Sequence, residues 1–154
     1  MPRSSAGLML YRVRGNGELE VLLAHPGGPW FARKDHGAWT VPKGEYEAGE
    51  EPAAAADREF AEEIGQVAPS GERIDLGEVR QTSGKRVRCY AVEGDLEAGA
   101  CHSNLFEMEW PPGSGSMQRF PEVDRAEWFA SAEAKLRLNP AQAPFVDRLV
   151  EQLA

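Results

Sequence analysis

The sequence predicts an α+β fold. Three observations carry that expectation: two glycine-marked hairpins, one strongly signalled helix between them, and helical segments gathered near the C-terminal end. Antiparallel hairpins with segregated helices are the pattern of that class.

Taken in order, residues 6–14 and 18–26 are short apolar runs around Gly15-Asn16-Gly17, where glycine and asparagine supply positive φ for a tight turn. The stretch PGGPW (26–30) breaks the second run, and a loop is expected to about His36. GAWTVPKG (37–44) reads as a brief strand ending at Pro42. Residues 52–64 then read as a helix. Pro52 suits its first turn, the alanines at 53–56 favour it, and Gly65 is placed to cap its C-terminus. RIDLGEVRQ (73–81) and RVRCYAVEG (86–94) flank TSGK as a second hairpin. NLFEMEW (104–110) reads as a strand, PPGSGSM (111–117) as a loop and AEWFAS (126–131) as a last strand. Helical segments are expected at about 131–137 and 141–153, the latter with Phe145, Leu149, Val150 and Leu153 as an apolar stripe.

The 154 residues suit one domain over 1–154, with no repeat and no dividing linker. Net charge is −8, which disfavours stable binding to nucleic acid or an anionic membrane. No apolar run approaches the ~20 residues of a membrane span. The opening MPRSSAGLMLYRVRGNG meets charge again at Arg12, so it reads as a strand, and a cytoplasmic location is the expectation. Cys89 and Cys101 lack the spacing of a disulfide scaffold or zinc site.

Residues 44–66 hold seven glutamates and one aspartate against one arginine. Glu59, Glu62 and Glu63 lie at i, i+3 and i+4, so they share one helix face, beside an apolar stripe of Ala56, Phe60 and Ile64. A solvated acidic face accommodates such crowding. So does a hard divalent cation taking oxygen ligands, with Arg58 holding one carboxylate in place.

Gly44, Glu50, Arg58, Glu59, Phe60, Glu62, Glu63 and Gly65 fit the pattern G-x5-E-x7-R-E-U-x-E-E-x-G-U, where U is bulky and aliphatic. The last position departs from it: Gln66 stands there, followed by Val67. With WTVPKG leading into it, this segment resembles the signature box of the Nudix hydrolase family. The resemblance implies an α/β/α sandwich with a mixed β-sheet over roughly 6–150. It implies Mg²⁺ (or Mn²⁺) held by Glu59, Glu62 and Glu63 and by the Gly44 carbonyl, with Glu50 joining the metal network or helping to hold the box together and Arg58 orienting a glutamate. A glutamate outside the box often serves as general base or as an extra metal ligand in such proteins. Glu122 in FPEVDRAEWF matches that role, with Glu107 and Glu109 as competitors.

Lys43, Lys85 and Arg86, with Arg88, are candidate contacts for an anionic small-molecule substrate. HPGGP (25–29) offers backbone N–H groups, and Trp30, Phe31, Trp39, Tyr90 and Trp110 are candidate stacking partners for a base. His25, His36 and His102 show no ligand spacing. Subclass marks narrow the substrate. Thr82 stands where many ADP-ribose hydrolases carry proline, and Ser83 where dinucleoside-polyphosphate members often carry tyrosine. The SQPWPFPxS array of NADH-directed members and the coenzyme A signature are absent, while WTVPKG looks like the leading turn of diadenosine-polyphosphate and inositol-pyrophosphate members. The expected activity is pyrophosphatase-type hydrolysis of a phosphoanhydride in a nucleoside triphosphate or dinucleoside polyphosphate. The alternative is a catalytically silent nucleotide sensor or interaction module of the same fold. Such modules commonly lose box glutamates, and here all are kept.

Overall fold

The structure, a computed structural model, describes residues 4–154. For residues 1–3, the expected domain and its leading segment lie outside the described residues. The strands are β1 (Ser4–Val13), β2 (Leu19–Pro26), β3 (Lys43–Glu45), β4 (Ile74–Arg80), β5 (Arg86–Glu93), β6 (Leu105–Glu109), β7 (Met117–Pro121) and β8 (Val123–Ala130). The α-helices are α1 (Pro52–Ile64), α2 (Ser131–Arg137) and α3 (Pro144–Leu153).

β1 organises the sheet. It runs parallel to β5 from Ser4 to Tyr11 and antiparallel to β2 at Tyr11–Val13, and its first half pairs with β3. The full order is β4-β5-β1-β2-β8, with β3 inserted beside β1. One parallel pair among antiparallel ones makes the sheet mixed. Its central strand is apolar on both faces because both are covered. Ala6, Leu8 and Leu10 pack with Leu22, Val92 and the α1 residues Ala55, Ala56, Phe60 and Ile64. Met9 and Tyr11 face the opposite layer, with Val21, Trp39, Val87, Leu138, Phe145 and Leu149. Helices on both faces of a mixed sheet form the expected α/β/α sandwich.

Several expectations need correction. The strand expected to end at Pro42 instead begins after it, at Lys43–Glu45. Trp39 and Thr40 make only isolated bridges, to Leu138 and Ala24. Proline lacks the N–H that a ladder needs, so pairing resumes past it. The final helix starts at Pro144 rather than 141, and its covered residues are Phe145, Val146 and Leu149. Val150 and Leu153 are exposed, because the helix rests on the sheet only along its first two turns. β7 and the small β6–β7 sheet were not foreseen. MQRFP is solvent-facing over most of its length and lacks the alternation that marks a half-buried strand.

The helix over 52–64, its Gly65 cap and both hairpins form as the sequence predicts. Gly65 has φ +80°, and a Cβ there would strike the His102 carbonyl. The chain at 102–104 closes over the end of α1, with the His102 N–H donating to the Ile64 carbonyl at 2.9 Å and the Asn104 N–H to the Glu62 carbonyl at 3.0 Å. Phe60 is fully buried at the centre of the α1 layer. Phe60→Ala is expected to cost about 3–5 kcal/mol of unfolding free energy, read by urea denaturation. A loss under about 1 kcal/mol would mean that α1 is not held by this packing.

Candidate active site

Glu59 and Glu63 lie one turn apart on α1, on the side facing β3. The Lys43 backbone N–H donates to the Glu63 carboxylate at 3.1 Å. At Gly44 the backbone passes so close to α1 that a Cβ would overlap the Glu59 carboxyl group. A side chain there would displace the Glu59 carboxyl group, so glycine at the head of the motif lets that carboxyl keep its place. Asn104, Glu122 and Lys85 complete a polar cleft of about 370 Å³ around these groups.

Glu122 reaches the cleft through a relay of backbone bonds. Asn104 is tied to the C-terminus of α1, and the Glu122 N–H donates to the Asn104 carbonyl at 2.9 Å. The charge on Glu122 is felt at Glu63. The two competitors sit elsewhere. Glu107 pairs with Arg119 across the β6–β7 hairpin, and Glu109 accepts the Gly113 and Gly115 N–H groups at its turn.

The electrostatics are those of carboxylates confined together. Burial pushes the Glu63 pKa up to about 7, with the charges of Glu59 and Glu122 adding to it against the Lys43 N–H and ammonium. Burial also raises Glu59, opposed by its bond from Arg58 and assisted by the charge on Glu62. Lys43 moves the other way, its pKa lowered by burial and by nearby Lys85.

Arg58 binds the carboxylates from outside the cleft. Its guanidinium holds Glu50 through two bonds, at 3.1 and 3.2 Å, and Glu59 at 2.7 Å, while Glu62 is only at 3.5 Å. Its main partners are therefore Glu50 and Glu59 rather than Glu62, four residues on. The Arg58 bonds hold Glu50 below the usual carboxylate range. Glu50 and the exposed Glu62 do not line the cleft. Among the described residues, no three acidic, histidine or cysteine side chains already converge as a cation cage. The oxygen donors facing the cleft, Glu59, Glu63 and Glu122, still suit a hard cation that keeps water or phosphate oxygens in much of its shell.

The remaining candidates divide. Lys43 and Lys85 line the cleft, Lys85 lying 3.9 Å from Glu45. Arg86 faces Glu78, and Arg88 binds Asp75, away from the cleft. The Gly27 N–H donates to the Glu122 carbonyl, and a Cβ at Gly27 would strike the Pro121 carbonyl. The glycine of HPGGP thus lets β2 approach the segment carrying Glu122. Trp39 is core, and Tyr90 packs toward α1. Phe31 lines a second chamber that continues from the cleft, while exposed Trp30 stacks edge-on with Trp110 at 5.1 Å.

Sequence reasoning missed the amides of that second chamber, Gln81, Asn139 and Gln142, along with Asn104 in the cleft. None bears a charge or a motif spacing, and only the fold brings them together. It also left His25 without a role. His25 is fully buried, bonded to Asp124 at 2.8 Å and to the Lys34 carbonyl at 2.6 Å, and so ties down the loop that carries Phe31.

The comparisons with known proteins agree with this geometry. The sequence profile of the NUDIX domain matches residues 1–149. No curated protein matches the chain significantly. The NUDIX domain of Shewanella oneidensis NrtR, in complex with ADP ribose, is similar at TM-score 0.68 and 18% identity, covering 100% of this chain and 90% of that one. A C. elegans Ap4A hydrolase in a binary complex is similar at 0.67 and 20%, with 97% of each chain covered. The C-terminal domain of mouse MUTYH, solved with human PCNA, is similar at 0.63 and 18%, covering 99% of this chain and 90% of that one. Identities this low establish a shared fold and no more. The profile match spans nearly the whole sequence and takes in the glutamate helix and its glycines, so the chain belongs to the Nudix family.

Proposed function

We propose that this chain, acting as a single domain, is a Nudix hydrolase that uses Mg²⁺ or Mn²⁺ to cleave a phosphoanhydride bond in a nucleoside diphosphate derivative. Nucleoside triphosphates and dinucleoside polyphosphates are the foremost candidates. The observation that carries this reading is that Glu59, Glu63 and Glu122 line one cleft together with Lys43 and Lys85. Similarity of fold to an Ap4A hydrolase and to an ADP-ribose-bound domain supports a nucleotide ligand.

Phosphoanhydrides resist hydrolysis because their anionic oxygens repel a nucleophile. A divalent cation in such a site neutralises those oxygens and lowers the pKa of a bound water. Glu59, Glu63 and the Gly44 carbonyl would hold it. The residues of the chain supply the rest. Lys43 and Lys85 face the cleft as donors to phosphate oxygens. Arg58, anchored on Glu50, keeps the Glu59 carboxylate in one orientation. Burial raises the Glu63 pKa in the metal-free protein, so its carboxylate is held as a proton acceptor whose strength a bound cation would reset. Glu122, which also lines the cleft, is the second candidate base. Glu62, exposed beside Arg58, remains within the box as a further carboxylate for a cation once substrate is bound.

No helix among the described residues is long and apolar enough to cross a membrane. The net charge of −8 argues against stable nucleic-acid binding, which leaves a small anionic substrate as the partner.

The test is phosphate and pyrophosphate release from a panel of nucleoside triphosphates, dinucleoside polyphosphates and inositol pyrophosphates with millimolar Mg²⁺. Glu63→Gln is expected to lower turnover by about 10²-fold or more, with an unchanged circular dichroism spectrum. Undiminished turnover would remove Glu63 from the mechanism. Binding without turnover across the panel would favour the silent sensor.

A second outcome concerns pH in the metal-free protein. The folded pKa of Glu63 lies above its ordinary value of 4.5, so the folded state favours the protonated form. The stability this contributes is present below about pH 4.5 and is lost as pH rises through about 7. In a chelator, wild-type Tm should therefore fall relative to that of Glu63→Gln between pH 5 and pH 8. Parallel Tm curves for the two proteins would contradict the buried, charge-crowded site.

A further inference from the structure

Beside the acidic cleft lies a chamber of about 280 Å³ that shares Lys43, Glu63 and Glu122 with it. Pro26 and Phe31 form its apolar wall, and Thr40, Gln81, Asn139 and Gln142 supply its polar groups. We infer that this chamber selects a nucleobase carrying a carbonyl oxygen over the matching amino base, through the amide donors of Gln81 and Asn139. This deepens the nucleotide hydrolase reading and rests on it.

The argument begins at Gln142, which is fully buried. The Val41 backbone N–H donates to its side chain at 3.0 Å, and a backbone N–H can only donate. The accepting atom of Gln142 is therefore its oxygen, which the Thr40 hydroxyl also meets at 3.1 Å. That leaves the Gln142 Nε2 facing Gln81, and a donor requires an acceptor. Gln81 thus turns its Oε1 to Gln142 at 2.9 Å. A buried relay anchored on the backbone decides which end of the Gln81 amide remains available: its Nε2, which has no hydrogen-bond partner among the described residues.

Asn139 is oriented by the same logic. Its Oδ1 accepts the Ala141 backbone N–H at 3.0 Å, which commits the oxygen and leaves Nδ2 uncommitted among the described residues. Two amides on separate elements are thus both presented as donors. Both are neutral, whereas phosphate recognition draws on the charged lysines at the cleft end. A flat apolar wall with a few fixed polar groups is the usual form of a site for a ring. At the purine 6-position or the pyrimidine 4-position, where these bases differ, an uncommitted donor is satisfied by carbonyl oxygen, as in a 6-oxopurine or a 4-oxopyrimidine. An amino group at that position would place donor against donor and leave both unpaired.

Inosine and adenosine triphosphates differ at the purine 6-position, and uridine and cytidine triphosphates at the pyrimidine 4-position. They form two matched pairs. With Mg²⁺ and the full chain, kcat/KM is expected to favour the oxo member of each pair by about tenfold or more. Equilibrium binding of their methylene-bridged analogues should show the same order. Gln81→Glu and Asn139→Asp keep the internal bond through one oxygen and replace the free donor with an acceptor. Each should lower the oxo-to-amino ratio by about tenfold without a change in Tm, a readout that a merely structural role would not move. Equal use of both members by the wild type, a ratio unmoved in both variants, or no binding of any of the four analogues would overturn the proposal. Preferential binding of the oxo analogues without turnover would support the selective chamber and count against the hydrolase reading alone.

Discussion

Everything in the site depends on one close approach: the backbone of β3 lying directly against the acidic face of α1. At Gly44 there is no room for a side chain beside the Glu59 carboxyl, and at Lys43 the backbone N–H holds Glu63. That contact requires β3 to be seated on β1, which in turn requires β1 and β2 to part after pairing at Tyr11–Val13. The sheet is split so that the 39–45 segment can lie between its halves. Phe60 and Ile64 lock α1 onto the same sheet from the adjoining face of the helix. Position is thereby set by apolar burial, while the groups being positioned are charged.

Such an arrangement opposes itself electrostatically. Burial raises the pKa of both Glu59 and Glu63, and their carboxylate neighbours add to it against Arg58 and Lys43. Arg58 offsets only part of this, since it sits on the outer side and binds Glu50 most fully. Sites whose titratable groups are pushed away from their ordinary values in a cleft are where chemistry is concentrated. Here burial is the main cause of both shifts, and a divalent cation with phosphate oxygens would favour the charged carboxylates that burial opposes.

How much of this was legible in the sequence follows from the range of each cause. The α1 helix, its Pro52 start and its Gly65 cap are local signals, and they appeared where they were expected. Gly44 was legible as a motif position, but the reason for it, the Glu59 carboxyl overhead, required the fold. Glu122 and its rivals Glu107 and Glu109 were indistinguishable as residues. Only the backbone relay from α1 through Asn104 separates them spatially. Arg86 and Lys85 looked equivalent beside one turn, yet strand alternation sends them to different surroundings. The chamber amides come from two distant segments, Gln81 after β4 and Asn139 and Gln142 in the turn before α3, and carry no local signature at all. β7 went unseen because its pairing with β6 is made almost entirely in solvent.

The central claim is that Glu59 and Glu63 together create a binding place for a divalent cation. Mn²⁺ titration of the full chain, followed by water-proton relaxation, addresses it without assuming any substrate. Saturable Mn²⁺ binding that is weakened by about tenfold or more in both Glu59→Gln and Glu63→Gln is the predicted result. Mn²⁺ binding of equal strength in the wild type and both variants would contradict it, as would no binding at all in the presence of a nucleoside triphosphate analogue.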